Sequence, residues 1–133
     1  MYDLVVGREA HRRLIAAGEA TALPPGPVKA LMQLDPDKPQ AMKELAEFFR
    51  CDASYVTSLV DDLEQAGYAE RQPHPSDRRV KVVALTEPGV KALARVREII
   101  GEPPEWFSVL TPNEQAQLAR LLGKLQAAKP DTD

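Results

Sequence analysis

Residues 42–86 read MKELAEFFRCDASYVTSLVDDLEQAGYAERQPHPSDRRVKVVALT. Apolar residues recur in this segment at helical spacing, which predicts one helix over Met42–Phe49 and a second one that ends near Ala66. Asp52 is a typical N-cap for the second helix, and Gly67 is a typical residue at which a helix stops. Only the short turn Arg50-Cys51 separates the two predicted helices.

Two strand-like runs follow this pair of helices, over Tyr68–Pro73 and Val80–Thr86. They are joined by a loop that contains His74-Pro75-Ser76-Asp77, residues that favour turns. The strands are therefore predicted to form a hairpin. Helix, helix, short turn, helix and hairpin is the order of a winged helix-turn-helix, so we predict a mainly α (α+β) fold with a two-stranded wing.

The pair Leu45-Ala46 supports this prediction, because a large residue followed by a small one suits the place where two helices cross closely. Val56 and Leu59 would anchor the second helix there. Arg50 departs from the usual pattern, since such turns favour glycine for its ease in the left-handed region. A non-glycine residue in that conformation costs about 1 kcal/mol, which does not forbid the turn.

Further helices are predicted on both sides of this segment. The first covers Tyr2–Glu19, and the next covers Pro27–Leu34 with proline in its first turn. Thr86 is expected to cap a helix over Glu87–Ile100. Thr111-Pro112-Asn113-Glu114 has the form of a capping box for a last helix, whose apolar residues share one side. These apolar residues are Leu118, Leu121, Leu122 and Leu125, and the tail from Lys129 is expected to be loose.

Length and composition exclude several classes of protein. The chain has 133 residues and is 44% hydrophobic, which favours one globular domain over 1–133. It has no apolar run of about 18 residues and no basic front of a signal peptide, so we expect a soluble cytoplasmic protein without membrane contact. Cys51, the only cysteine, is expected to be a small buried hydrophobe rather than a redox sensor.

The motifs of common enzymes are missing. The sequence has no glycine-rich phosphate loop, no Gly-x-Ser-x-Gly elbow, no His-Glu-x-x-His and no plausible Cys-His pair. His11 and His74 lie far apart in the chain and have no neighbours at ligand spacing, so no metal site is predicted. We therefore expect neither an enzyme nor a cofactor.

Charge is distributed unevenly along the chain. The net charge of −3 would argue against a nucleic-acid partner. Residues 71–81, however, contain four basic residues and one acid. Their local charge of +3 leaves −6 for the rest of the chain. The predicted wing is thus a basic island in an acidic protein.

Candidate DNA-binding residues fall into two groups. In the helix after Asp52, the residues off the buried stripe near its start offer hydroxyls to base edges or phosphates, and the helix N-terminus adds a partial positive field. In the wing, Arg79 is expected to enter the minor groove, while the other cations contact phosphates. The helix candidates are Ser54, Tyr55, Thr57 and Ser58; the wing candidates are Arg71, His74, Asp77, Arg78, Arg79 and Lys81; Lys43 and Arg50 are weaker candidates for phosphate contacts.

The acids of the same helix conflict with this interpretation. The segment from Asp52 to Glu64 contains no Lys or Arg, and it carries three acids near its end, Asp61, Asp62 and Glu64. These carboxylates must point largely away from the DNA backbone, or Asp61 must accept a hydrogen bond from a cytosine amino group. A winged-helix module for protein–protein contact is therefore kept as the alternative, because an acidic helix and an acidic protein would suit it.

Four segments resemble the MarR family of bacterial transcription regulators. They are Lys43-Glu44-Leu45-Ala46, the run from Val56 to Tyr68, Ser76-Asp77-Arg78-Arg79, and Leu85-Thr86-Glu87-Pro88-Gly89. The resemblance implies a winged helix-turn-helix that binds pseudo-palindromic double-stranded DNA. It also implies that many members release DNA when a small phenolic or other amphipathic ligand binds; the ligand-binding residues stay unassigned.

The family pattern also implies roles for the wing tip and the terminal helices. Asp77 is expected to pair with Arg79 and to orient it. Residues 1–20 and 87–127 are expected to form dimerisation helices around a DNA-binding region at 27–86, because their apolar stripes need a partner chain to cover them. Such a homodimer would meet half-sites roughly 34 Å apart. We expect a repressor, since a dimer lying across promoter DNA blocks polymerase.

Overall fold

The computed structural model describes residues 7–128, and the chain divides into two compact units at residues 1–102 and 103–133. The first unit contains five helices and three strands in its described part, and the second contains a short 3-10 helix and one α-helix. In chain order they are α1 (Arg8–Thr21), α2 (Pro25–Gln33), β1 (Gln40–Ala41), α3 (Met42–Phe49), α4 (Ala53–Gln65), β2 (Ala69–Pro73), β3 (Lys81–Leu85), α5 (Glu87–Gly101), the 3-10 helix (Glu105–Val109) and α6 (Pro112–Ala127).

The core of the first unit lies where α2, α4 and α5 meet. Leu31, Leu63 and Leu93 come from these three helices, and each is at most 1% exposed. Burying one such side chain contributes about 2 kcal/mol, so this contact is a substantial part of the stability of the unit. The apolar stripe predicted for α4 is confirmed, because all four of its members are buried. These members are Val56, Leu59, Val60 and Leu63.

Helix α2 begins earlier than predicted, at Pro25 rather than Pro27. Pro24 is the extended N-cap, and its carbonyl accepts a hydrogen bond from the Val28 N–H at 3.2 Å. The first N–H groups of a helix have no intrahelical partner, so Pro25 and Pro27 both fit in the first turn. The sequence predicted Pro27 in the first turn of this helix, and Pro27 lies there as the third residue of α2.

The sheet has three strands, where the sequence predicted a hairpin of two. The hairpin of β2 and β3 is present, with Arg71 paired to Val83. Strand β1 adds to the other edge of β3, with Gln40 opposite Val83, so the antiparallel order is β1-β3-β2. Two residues are too few to show the alternation from which strands are predicted, so β1 was missed.

Gly67 and Gly89 fix how the wing leaves α4 and enters α5. Gly67 has φ +78°, and the Tyr68 N–H donates to the Leu63 carbonyl at 2.9 Å, which is the Schellman end predicted for α4. Thr86 caps α5 as predicted, accepting from the Gly89 N–H at 3.1 Å and donating to the Gly67 carbonyl at 2.6 Å. A single threonine thus joins the end of α4 to the start of α5.

Helix α1 packs along α5 and supplies the cation that α5 lacks in its own last turn. The Arg13 guanidinium donates to the carbonyls of Ile99 and Ile100, both at 3.3 Å, and to Glu9 at 3.0 Å. A cation at a helix C-terminus is favourable because unpaired carbonyls carry negative charge there. The predicted first helix started at Tyr2; residues 1–6 lie outside the described range.

The second unit confirms the capping box. Thr111 Oγ1 accepts from the Glu114 N–H at 3.3 Å, and the Glu114 carboxylate accepts from the Thr111 N–H at 2.8 Å. Ahead of it, the unpredicted 3-10 helix holds Trp106 and Phe107 edge to face at 5.9 Å. No residue of α6 is buried, and its leucines are the largest exposed apolar group of the unit. These leucines are Leu121, Leu122 and Leu125.

None of the helices between residues 7 and 128 is long and apolar enough to cross a membrane. Over the same range, no three His, Cys, Asp or Glu side chains are grouped so that they could hold a metal ion. Cys51 is half-buried against the core rather than fully buried, since it lies in the turn between two helices.

Candidate nucleic-acid interface

The turn between α3 and α4 sets the direction in which α4 leaves the core. Arg50 adopts the left-handed conformation expected for this position, with φ 49° and ψ 46°. The Cys51 N–H then donates to the Ala46 carbonyl at 3.2 Å, which closes the turn. Leu45 is 3% exposed at the helix crossing, as its position in the Leu45-Ala46 pair predicts.

Helix α4 presents a polar face on the side opposite its buried stripe. Ser54, Thr57 and Ser58 are exposed in its first two turns, where the sequence placed candidate contacts to bases. The Thr57 hydroxyl donates to the Ala53 carbonyl at 2.9 Å, so its remaining capacity toward a ligand is as an acceptor. Ser54 and Ser58 hydroxyls can both donate and accept.

Tyr55 is placed differently from the serines. Its side chain is 49% exposed, and its hydroxyl lies against α2, where a Cβ added to Gly26 would be 3.2 Å from the phenolic oxygen. A residue larger than glycine at position 26 would therefore press on this hydroxyl. The ring leans toward the start of α2, while the serine hydroxyls stay in solvent.

The wing tip is shaped by short contacts from side chains to the main chain. The Asp77 carboxylate accepts from the Arg79 N–H at 3.0 Å, and His74 Nδ1 accepts from the Ser76 N–H at 3.1 Å. Below them, the His74 N–H donates to the Val80 carbonyl at 2.9 Å. The pairing of Asp77 with Arg79 is thus made through the main chain, and it fixes the loop rather than the guanidinium.

The cations of the tip are free of internal ion pairs. Arg78, Arg79 and Lys81 are exposed, and within residues 7–128 none of them lies within 4.0 Å of a carboxylate. His74 is half-buried at the base of the loop. Three neighbouring cations without internal partners form a concentrated positive surface, which attracts a polyanion.

Arg71 has a different environment from the other wing cations. Its Nη2 donates to Asp61 at 2.6 Å and to the Thr57 carbonyl at 3.1 Å, and its Nη1 pairs with Glu64. Its side chain is 23% exposed, so the guanidinium is largely enclosed by these partners. The structure therefore brings Arg71 to α4, away from the cations at the wing tip.

This arrangement explains the acids that conflicted with DNA binding. Asp61 and Glu64 both pair with Arg71, so the three side chains together carry a charge of −1 rather than the −2 of the two acids alone. Nothing in the sequence spacing shows this pairing, although one signal pointed to it: acids on a predicted DNA-facing helix stood without cations of their own, and the next strand carried an arginine. With Asp61 and Glu64 paired, the acidic helix gives less support to the protein–protein alternative.

The two weaker candidates for phosphate contacts, Lys43 and Arg50, lie at the two ends of α3. Lys43 is exposed on α3, with its ammonium 3.9 Å from the Glu47 carboxylate, a distance at which the attraction is slight. Arg50 is exposed at the turn itself. Both keep their charge available to an external phosphate.

The winged helix-turn-helix segment matches a known family. Residues 23–81 match the sequence profile described as the MarR family. The chain is 33% identical over 90 residues to the HTH-type transcriptional regulator BilQ of Clostridium symbiosum, a match that covers 67% of this chain and 62% of that protein. The chain thus spans less than two thirds of the length of this curated relative.

Solved structures agree with this assignment. The apo form of wild-type MarR from Escherichia coli has a TM-score of 0.76 at 26% identity, covering 90% of each chain. The MepR–DNA complex of Staphylococcus aureus has a TM-score of 0.70, covering 95% of this chain and 96% of that one; at 19% identity it shows a likeness of fold alone. By its winged helix-turn-helix and by these matches, the segment over residues 23–81 belongs to the MarR family.

Proposed function

We propose that this protein is a transcription regulator that binds a specific sequence in double-stranded DNA as a homodimer. One observation carries the proposal: the polar face of α4, with Ser54 and Ser58 exposed, belongs to the same unit as a wing tip whose exposed Arg78, Arg79 and Lys81 side chains form no ion pair within residues 7–128. The first surface suits the reading of base edges, and the second suits phosphates and a narrow minor groove.

Each surface has a defined part in the proposal. Helix α4 enters the major groove and reads bases through Ser54 and Ser58, with Thr57 as an acceptor and its N-terminal amides near a phosphate. At the wing, Arg79 enters the minor groove, where A·T-rich sequence strengthens the negative potential. His74, Arg78 and Lys81 contact phosphates, as do Lys43 and Arg50 beside the turn.

Tyr55 and Asp77 have supporting parts. Tyr55 reaches DNA through its exposed ring edge rather than through its hydroxyl, which faces Gly26. Asp77 holds the loop of the tip through the Arg79 N–H, so that the neighbouring side chains project together. The MepR–DNA complex offers fold-level support, because a chain of the same fold is bound to DNA there.

The homodimer part of the proposal rests on exposed apolar surface. Leu121, Leu122 and Leu125 are 50%, 53% and 69% exposed on one side of α6, and Ile15 on α1 is 42% exposed. Covering these side chains with a second copy removes apolar area from water, which stabilises the association. A two-fold dimer places two reading helices roughly 34 Å apart, matching a palindromic operator.

Two finer parts of the proposal concern regulation. We propose repression, since a dimer on promoter DNA excludes polymerase. Release by a small amphipathic or phenolic ligand is the second part, and it is supported by the resemblance to the family alone. Ligand residues are left unassigned.

Selection from random duplex DNA by the purified protein tests the proposal. We expect enrichment of a palindrome with half-sites one helical turn apart, and an affinity that falls steeply with salt. No enrichment, together with weak binding at every salt concentration, would refute DNA reading. Binding of a protein partner that is insensitive to salt would then favour the protein–protein module.

A further inference from the structure

The contact between Arg71 and α4 links the two surfaces proposed to bind DNA. Helix α4 has Asp61 and Glu64 on its polar side and no Lys or Arg from Ala53 to Gln65. Among the residues that the structure describes, the cation that pairs with these two acids comes from the wing strand β2. We call Arg71 and its partners Thr57, Asp61 and Glu64 the Arg71 clamp.

The geometry of the clamp suits fixing an orientation. Thr57, Asp61 and Glu64 are spaced by four and three residues, so they line one side of α4 over two turns. The guanidinium bonds to all three, and a planar fork held at several points has little freedom to rotate. The side chains of Arg71 and Glu64 are 23% and 34% exposed, so water competes less with the bond to Glu64 than with the bond to Asp61, whose side chain is 60% exposed.

The clamp also holds the main chain of the wing. The Arg71 N–H donates to Glu64 at 2.8 Å, so one carboxylate binds both the side chain and the backbone of the same residue. Strand β2 is an edge of the sheet, and this side-chain acceptor satisfies a group on that edge. Two residues further on, β2 ends at Pro73 and the tip begins.

We propose that Arg71 is a positioning residue that sets the wing tip relative to the reading face of α4 through Asp61 and Glu64. The inference rests on the proposed function. In this proposal the Arg71 guanidinium acts on DNA indirectly, because it positions Arg79 to enter the minor groove. The two acids then favour DNA binding despite their negative charge. A direct phosphate contact by Arg71 is the competing account.

Replacing one acid on α4 provides a test, because the clamp and electrostatics alone predict opposite changes in affinity for DNA. Electrostatics alone predicts that removing a negative charge from a DNA-facing helix tightens binding. The clamp predicts that Glu64→Ala weakens binding to the selected duplex about tenfold, the size of one lost groove contact. Asp62→Ala is the matched control, since it makes the same change of charge on the same helix at a residue outside the clamp, and it should bind as tightly as wild type or more tightly.

A double-mutant cycle tests whether Arg71 acts through the tip. Arg71→Gln, Arg79→Ala and the double variant are titrated with the same duplex at several salt concentrations. If Arg71 positions Arg79, then Arg79→Ala reduces the affinity for the duplex by a much smaller factor in the Arg71→Gln variant than in wild type. If Arg71 contacts phosphate itself, the two losses multiply, and Arg71→Gln lowers the salt slope. Independent losses would overturn the inference.

Folding and function are separated by two further measurements. Thermal melting and circular dichroism identify variants that have lost the fold, and Asp61→Ala, which removes a partner of Arg71 whose side chain is 60% exposed, replaces Glu64→Ala if that variant melts early. Wild type that binds no duplex overturns the proposed function and the clamp together. Wild type that binds, with a folded Glu64→Ala or Asp61→Ala variant binding as tightly, overturns the clamp alone.

Discussion

Replacing Gly89 with alanine should destabilise the fold severely at the base of the wing. A Cβ at position 89 would lie 1.8 Å from the Tyr68 carbonyl oxygen, and real Cβ contacts begin at about 3.0 Å. The backbone of α5 and that of the wing must therefore separate by more than 1 Å. This movement strains the Thr86 N–H bond to Tyr68, now 3.0 Å, and the Gly89 N–H bond to Thr86, now 3.1 Å.

The size of the effect follows from these contacts. Overpacking of a rigid site costs about 1–3 kcal/mol, and each weakened hydrogen bond adds about 1 kcal/mol. Gly89→Ala should therefore lose about 3–5 kcal/mol of unfolding free energy. For a chain of this length that corresponds to a fall in Tm of roughly 10–18 °C.

Thermal and urea unfolding followed by circular dichroism measures this loss, and Gly101→Ala is the matched control. A Cβ at Gly101, the last residue of α5, meets nothing within 4 Å. The same substitution there should stabilise the protein by up to about 1 kcal/mol, because alanine loses less backbone entropy in a helix. Equal, small effects at the two glycines would refute the close approach of α5 to Tyr68.

Three further predictions concern binding and assembly. Arg79→Ala should weaken binding to the selected duplex about tenfold and reduce A·T preference beside each half-site, with the dimer intact by sedimentation; unchanged affinity and preference would exclude Arg79 from the groove. Ser58→Ala should change the base preference in a selection experiment and leave the salt slope unaltered, and the reverse result would make Ser58 a phosphate contact. Leu121→Glu, which puts a charge on the exposed side of α6, should yield a folded monomer, and a dimer of wild-type stability would place the interface elsewhere.

Local patterns predicted most of the fold, because the signals that decide it are local. The buried stripe of α4 follows from the spacing of Val56, Leu59 and Leu63, and all three are at most 4% exposed. The capping box at Thr111 follows from four consecutive residues. Such features depend on side chains within a turn or two of one another, which a sequence displays directly.

Contacts between distant residues were harder to predict. The bonds of Arg71 to Asp61 and Glu64 join a strand to a helix across a turn, and no spacing rule connects those positions. Strand β1 was missed because it pairs only through β3, some forty residues later. The contact of Tyr55 with Gly26 is of the same kind, since periodicity tells which face a residue occupies but not which way its side chain leans.

The Arg71 clamp limits how binding specificity can be redesigned. A recognition helix is often treated as an exchangeable cassette, in which the exposed residues of one regulator are transplanted into another. Here Asp61 and Glu64 share the exposed side of the cassette with Ser54 and Ser58, and they hold the wing at its base. Under the proposed function and the clamp, a transplant that keeps the two serines and omits the two acids would present its new base contacts beside a wing that no longer points at the neighbouring groove.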